Sequence, residues 1–135
     1  MATQRVDPQQ AHALMKEGWT YVDVRTEQEF EGGHPAGSIN IPINHPDFVP
    51  IMQARFEPDS KVIVGCMMGG RSARACTILS ATGFVNLADA TGGWGGQTDN
   101  SGRVLVQGWL DARLPTGGGT TLNQLLDSLT PGDSK

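Results

Sequence analysis

Lys61-Val62-Ile63-Val64 is a β-branched apolar run, too short for a helix and apolar enough for a central strand, and it leads at once into Gly65-Cys66-Met67-Met68-Gly69-Gly70. Behind that turn, residues 71 to about 82 read as a helix that Gly83 ends. A buried strand, a glycine-rich turn and a helix in that order require a sheet with helices laid over it. The preceding sequence repeats the theme. Gln4-Arg5-Val6 is a strand candidate, and Asp7-Pro8-Gln9-Gln10 then opens a helix: Asp7 as N-cap, Pro8 at the first helical position, Gln10 as capping-box partner. That helix should run to about Lys16 and stop at Gly18.

Residues 21–24 are a second strand and 26–30 a short helix, while 32–43, with Gly33, Pro35, Gly37 and Pro42, read as mostly loop. Residues 47–56 look helical, with Phe48, Met52 and Phe56 stacked on one core-facing stripe. Residues 84–87 supply another strand. Strand and helix thus alternate over 4–87, which predicts an α/β fold: a three-layer sandwich with a mainly parallel central sheet flanked by helices.

After that the pattern changes. Nine of the 18 glycines fall between Gly92 and Gly119. Within this region 103–106 is a possible strand and 97–102 reads as an exposed turn. Leu122, Leu125, Leu126 and Leu129 then mark an amphipathic helix over about 121–129, with Thr121 and Gln124 as its capping box. Residues 131–135 are expected to fray.

Composition bounds the function classes. A chain of 135 residues suits one compact domain, and 38% apolar with 18% charged residues is too apolar for wholesale disorder. No apolar run approaches the roughly 20 residues of a membrane span, and Met1-Ala2-Thr3-Gln4-Arg5 opens no secretory signal. The expected location is cytoplasmic, with no membrane partner. A net charge of −4 argues against a nucleic-acid partner. Residues 60–88, however, carry Lys61, Arg71 and Arg74 and no carboxylate, a positive stretch suited to a small anion. His12, His34 and His45 are scattered and Cys66 and Cys76 form no metal-ligand spacing, so neither a metal nor a disulfide framework is expected.

Chemistry concentrates at Cys66. In open α/β sheets ligands bind at the carboxyl ends of strands, where helix N-termini present free N–H groups. A thiol placed there should have its pKa lowered by the helix macrodipole and by Arg71, and Gly69 and Gly70 allow several amides to face one centre. Cys76, midway along the same helix beside Ile78 and Leu79, reads as a small core residue.

Cys66-x-x-Gly69-x-Arg71-Ser72 resembles the active-site loop of the rhodaneses, sulfurtransferases that carry sulfane sulfur as a cysteine persulfide. Tyr21-Val22-Asp23-Val24-Arg25, Glu29-Phe30 and the run from Gly33-His34-Pro35-Ala36-Gly37 to Pro42 match that family's first signature. Gly92-Gly93, Gly108-Trp109 and Leu114-Pro115 resemble its end. The resemblance implies one rhodanese domain over 1–135, with a core at about 4–115, an insert-like segment at about 94–107 and the tail helix. It also implies transfer of sulfur from thiosulfate or another persulfide donor through Cys66 to cyanide in an assay and to a thiol or protein acceptor in the cell, by double displacement and without metal or organic cofactor. Arg71 would orient the anionic donor. Met67, Met68, Gly69, Gly70 and Ser72 would line its site, with Ser72 bonding within the loop or capping the helix. Asp23 and Arg25 would brace the loop and its neighbours through ion pairs, and His34 would be structural.

Arg71 lies five positions after Cys66, a C-x4-R ring that is smaller than the C-x5-R ring of cysteine phosphatases and fits a terminal sulfur better. Many thiosulfate-using members carry a basic residue after the cysteine, whereas this chain has Met67 and Met68, which favour a persulfidated protein or small-molecule donor. The alternative is a persulfide carrier or protein-binding module with little thiosulfate turnover. A monomer or weak dimer is expected.

Overall fold

The computed structural model describes residues 3–129. Strand β1 (Gln4–Val6) leads into helix α1 (Pro8–Lys16), β2 (Thr20–Asp23) and α2 (Glu27–Glu31). The short β3 (Ile39–Asn40), α3 (Phe48–Arg55), β4 (Lys61–Gly65), α4 (Gly70–Ala81) and β5 (Asn86–Ala90) follow. A small pair, β6 (Gln97–Thr98) and β7 (Val104–Val106), precedes α5 (Leu122–Ser128).

Local chemistry sets the helix starts. Asp7, Thr26 and Thr121 each accept the N–H three residues on, while Gln10, Glu29 and Gln124 reach back to the cap N–H, so two otherwise unpaired donors are satisfied at each start. At the end of α1, Gly18 takes φ +103°, a turn that a side chain would oppose.

The main sheet has the order β1-β5-β4-β2-β3, and every pairing in it is parallel. Both faces are covered, which explains why β4 reads as an unbroken apolar run. Val62 and Val64 point to one face, with Val22, Leu87, Phe48, Met52, Phe56, Leu79 and Leu125, while Ile63 points to the other with Tyr21, Ala88, Ala11 and Trp109. The expected stripe of Phe48, Met52 and Phe56 is buried as predicted. Leu122 and Leu125 of α5 join the first of these clusters, so the packed core continues beyond residue 115.

Within the mostly loop segment 32–43, Ile39 and Asn40 pair with Val22 and Asp23 as the edge strand. Two readings need correction. The strand expected over 84–87 begins at Asn86 and extends to Ala90, because Phe84 N–H closes the end of α4 on Leu79 O and Val85 N–H is held by Pro58 O. The turn expected over 97–102 starts as β6, with Gln97 opposite Val106 and Thr98 opposite Val104. The fraying expected at 131–135 lies outside the described residues. Among the described residues, no helix is long and apolar enough to cross a membrane.

Candidate active site

Strand β4 ends at Gly65, where an added Cβ would strike the Tyr21 hydroxyl, so the backbone can approach that ring only as glycine. Cys66 follows at the carboxyl end of the strand and is 2% exposed. Its Sγ accepts two main-chain hydrogen bonds, from Gly69 N at 3.1 Å and from Ser72 N at 3.3 Å. Gly69 is the N-cap of α4 and adopts φ +112°, a left-handed conformation that turns the chain back over the sulfur. The loop therefore puts Cys66 Sγ against free N–H groups at a helix N-terminus, as the sequence predicts.

The insert-like segment supports this loop from outside. Trp94 N donates to Cys66 O at 2.7 Å, Gly95 N donates to Met67 O at 2.9 Å, and Gln97 Nε2 donates to Met68 O. A Cβ on Gly93 would collide with the Cys66 carbonyl, so glycine is what lets the two segments lie this close. Met67 packs beside Gly95, and Met68 stands 59% exposed at the mouth.

Arg71 is not free. Its Nη1 and Nη2 donate to Glu29 Oε1 and Oε2 at 2.8 and 3.1 Å, a two-point ion pair with both side chains about one-third exposed. These bonds to Arg71 pull the Glu29 carboxyl down to about 2, and the same partner raises the Arg71 guanidinium further. Glu29 entered the sequence reading only as part of a signature, because nothing local shows that α2 lies across from the loop.

Asp23 and Arg25 are each 1% exposed. Their ion pair is with each other, at 2.7 Å, rather than with the cysteine loop. Arg25 Nη2 also donates to Gly33 O at 2.6 Å, and the guanidinium lies 5.3 Å from the Trp94 ring centre. Trp94 in turn holds Cys66 O, so the pair reaches the loop through an aromatic ring and not through the expected ion pairs. Removing either partner would leave an uncompensated buried charge, at a cost of about 3–5 kcal/mol.

Ser72 Oγ lies 3.1 Å from Gly69 O and 2.7 Å from Asp89 Oδ1. His34 is structural as expected: Nδ1 meets Phe30 O at 2.7 Å, Nε2 accepts from Gly119 N at 3.0 Å, and the ring stacks on Phe30. Cys76 lies in the core at 4% exposure, and burial, reinforced by the charges of Asp89 and Cys66, pushes its thiol up to about 12. Gly70 opens α4. Asp89 escaped the sequence reading, although a single carboxylate in the apolar run Leu87-Ala88-Asp89-Ala90 is the signal that could have found it. Among the described residues, no group of three or more His, Cys, Asp or Glu is placed to hold a metal ion.

Residues 7–99 match the family model of the rhodanese-like domain. Thiosulfate sulfurtransferase 16, a chloroplastic protein of Arabidopsis thaliana, is 38% identical over 99 residues, which are 67% of this chain and 82% of that protein. Senescence-associated protein DIN1 of Raphanus sativus is 34% identical over 99 residues, 67% of this chain and 54% of its own length, so the chain spans about half of that relative. The crystal structure of Rv0390 from M. tuberculosis superposes with a TM-score of 0.73 at 22% identity, covering 88% of this chain and all of that one, a likeness of fold. On the family match and the first relative, the chain belongs to the rhodanese-like domain family.

Proposed function

We propose that this chain is a sulfurtransferase in which Cys66 carries sulfane sulfur as a persulfide. The observation that supports this best is the pair of main-chain N–H groups, from Gly69 and Ser72, directed at Cys66 Sγ. Donors fixed in that position stabilise negative charge on the sulfur, whether thiolate or persulfide, without having to reorganise.

In the forward half-reaction the Cys66 thiolate attacks the outer sulfur of thiosulfate. A new S–S bond forms on Cys66, the old S–S bond breaks, and its electron pair leaves on sulfite. In the second half an acceptor nucleophile attacks the terminal sulfur: cyanide leaves as thiocyanate, a thiolate as a new persulfide, and the Cys66 thiolate returns. No electrons are gained or lost overall, so no redox cofactor is needed.

Arg71 would meet the anionic donor while still bound to Glu29, using guanidinium N–H groups that the carboxylate leaves open. The cancelled charge of that pair and the exposed Met68 weaken the attraction for a small dianion. They favour a second reading, in which the physiological donor is a persulfide on a protein or small thiol and thiosulfate turns over slowly.

The test is a thiosulfate and cyanide assay with mass analysis. The intact protein should show one added sulfur on Cys66 after thiosulfate, and thiocyanate should form with ping-pong kinetics. Equal thiocyanate rates from wild type and Cys66→Ser would sink the proposal. Loading without turnover would favour the carrier reading.

A further inference from the structure

Asp89 is 5% exposed on β5, yet it has no ion pair among the described residues, and its shortest polar contact is Ser72 Oγ at 2.7 Å. Ser72 is also the residue whose main-chain N–H faces Cys66 Sγ. A buried carboxylate is costly, and apolar residues precede and follow Asp89 on its strand, so its presence beneath the loop calls for a physical account.

The hydroxyl of Ser72 has a single proton and two acceptors within reach, Asp89 Oδ1 and Gly69 O. With Asp89 ionised, the shorter, charge-assisted bond takes that proton, and Gly69 O keeps only the Ala73 N–H. With Asp89 neutral, its own O–H can donate to Ser72 Oγ, and the Ser72 proton turns to Gly69 O. Both states anchor the Ser72 side chain away from the sulfur.

We propose that Asp89 is a positioning residue of the sulfur site: acting through Ser72 it fixes an amide that faces Cys66 Sγ. This deepens the sulfurtransferase reading, because it concerns the same thiol, but it does not depend on sulfur transfer.

The surroundings fit this role. From β1, Arg5 stands in register beside Asp89 and attracts its charged form, without a hydrogen bond or ion pair to it. From α4 come Ser72 and Cys76, from the loop Cys66, and across the sheet Tyr21, whose hydroxyl lies at Gly65. Burial, the largest influence, holds the Asp89 carboxyl above its usual range. A cavity of about 250 Å³, lined by Thr3, Arg5, Ala73, Cys76, Thr77 and Asp89, opens the carboxyl side to solvent and gives its proton a route. Since ionising a carboxyl whose folded pKa is raised costs the fold as pH rises, Asp89→Asn is expected to keep or gain thermal stability at neutral pH.

The test is the rate of iodoacetamide alkylation at high pH, mapped by mass to the Cys66 peptide, in wild type, Asp89→Asn and Asp89→Ala. Asn keeps a hydrogen bond to Ser72, so its rate should stay within about twofold of wild type. Ala leaves the Ser72 side chain unheld and should shift the rate by about threefold or more. An Ala rate that matches wild type, or an Asn rate shifted as far as that of Ala, overturns the proposal. Failure of thiosulfate to load Cys66 would instead remove the sulfurtransferase reading and leave this measurement standing.

Discussion

The loop that holds Cys66 and the helix that holds Cys76 belong to one continuous strand–loop–helix unit, and both thiols are nearly inaccessible, at 2% and 4% exposure. Burial therefore does not distinguish them. What differs is the supply of donors. Cys66 Sγ receives two main-chain N–H groups at the start of α4, where helical N–H groups have no partners. Cys76 sits where the same helix has already used its amides internally, and its surroundings are apolar or negative. A thiol in such a place stays protonated and packs like a small hydrocarbon.

The sharpest way to break this contrast is to remove each thiol in turn. Cys66→Ser should drop thiocyanate formation to background, a loss of about a thousandfold or more, while Cys76→Ser should keep the rate within about twofold and lower the melting temperature by a few degrees. Persulfide found on Cys76 by peptide mass analysis would dissolve the distinction.

A smaller but more pointed test leaves both sulfurs in place. Gly93→Ala forces a Cβ against the Cys66 carbonyl at a position with φ +55°, so the loop must shift while Cys76 does not. The rate should fall about tenfold or more with the Cys76 environment unchanged. A normal rate in a folded variant would mean that the loop holds its donors without help from the hairpin.

The smallest expected effect concerns charge near the first thiol only. Glu29→Gln should release Arg71 and lower the KM for thiosulfate by about threefold. It also has a signature in acid. The folded state holds the Glu29 carboxyl at about 2 against an ordinary 4.5, so its ionised form stabilises the fold above pH 4.5 and that contribution disappears as pH falls toward 2. Denaturant melts across that window should show a shallower acid loss in the Gln variant. Identical acid profiles would place Glu29 outside the balance.

How much of this was readable in advance follows from the range of each interaction. The caps of α1 and α5, the apolar run of β4 and the loop into α4 are local patterns, and the chain displays them openly. Cys66 was legible for the same reason, since the glycines and Arg71 stand within one turn of it. Glu29 and Asp89 were not, because their partners come from elements joined only in the folded sheet, Arg71 being 42 positions and Ser72 17 positions away along the chain. The edge strand β3 hid inside a glycine- and proline-rich stretch, where two residues are too few to show a period. The insert-like segment read as loose for its glycines, yet at Gly93, Gly95 and Gly96 a missing side chain lets backbone meet the cysteine loop or the end of the hairpin.

The hairpin side takes up three successive carbonyls, those of Cys66, Met67 and Met68. A trans peptide is a rigid plane in which N–H points opposite to C=O, so holding the Met68 oxygen outward rotates the N–H of Gly69 toward Cys66 Sγ. The Gly69 bond to Cys66 Sγ is the visible end of that rotation. The outer segment thus works as a lever on the ring's dipoles: it sets their direction from the side the sulfur never touches, and the field is in place before any charge arrives to use it.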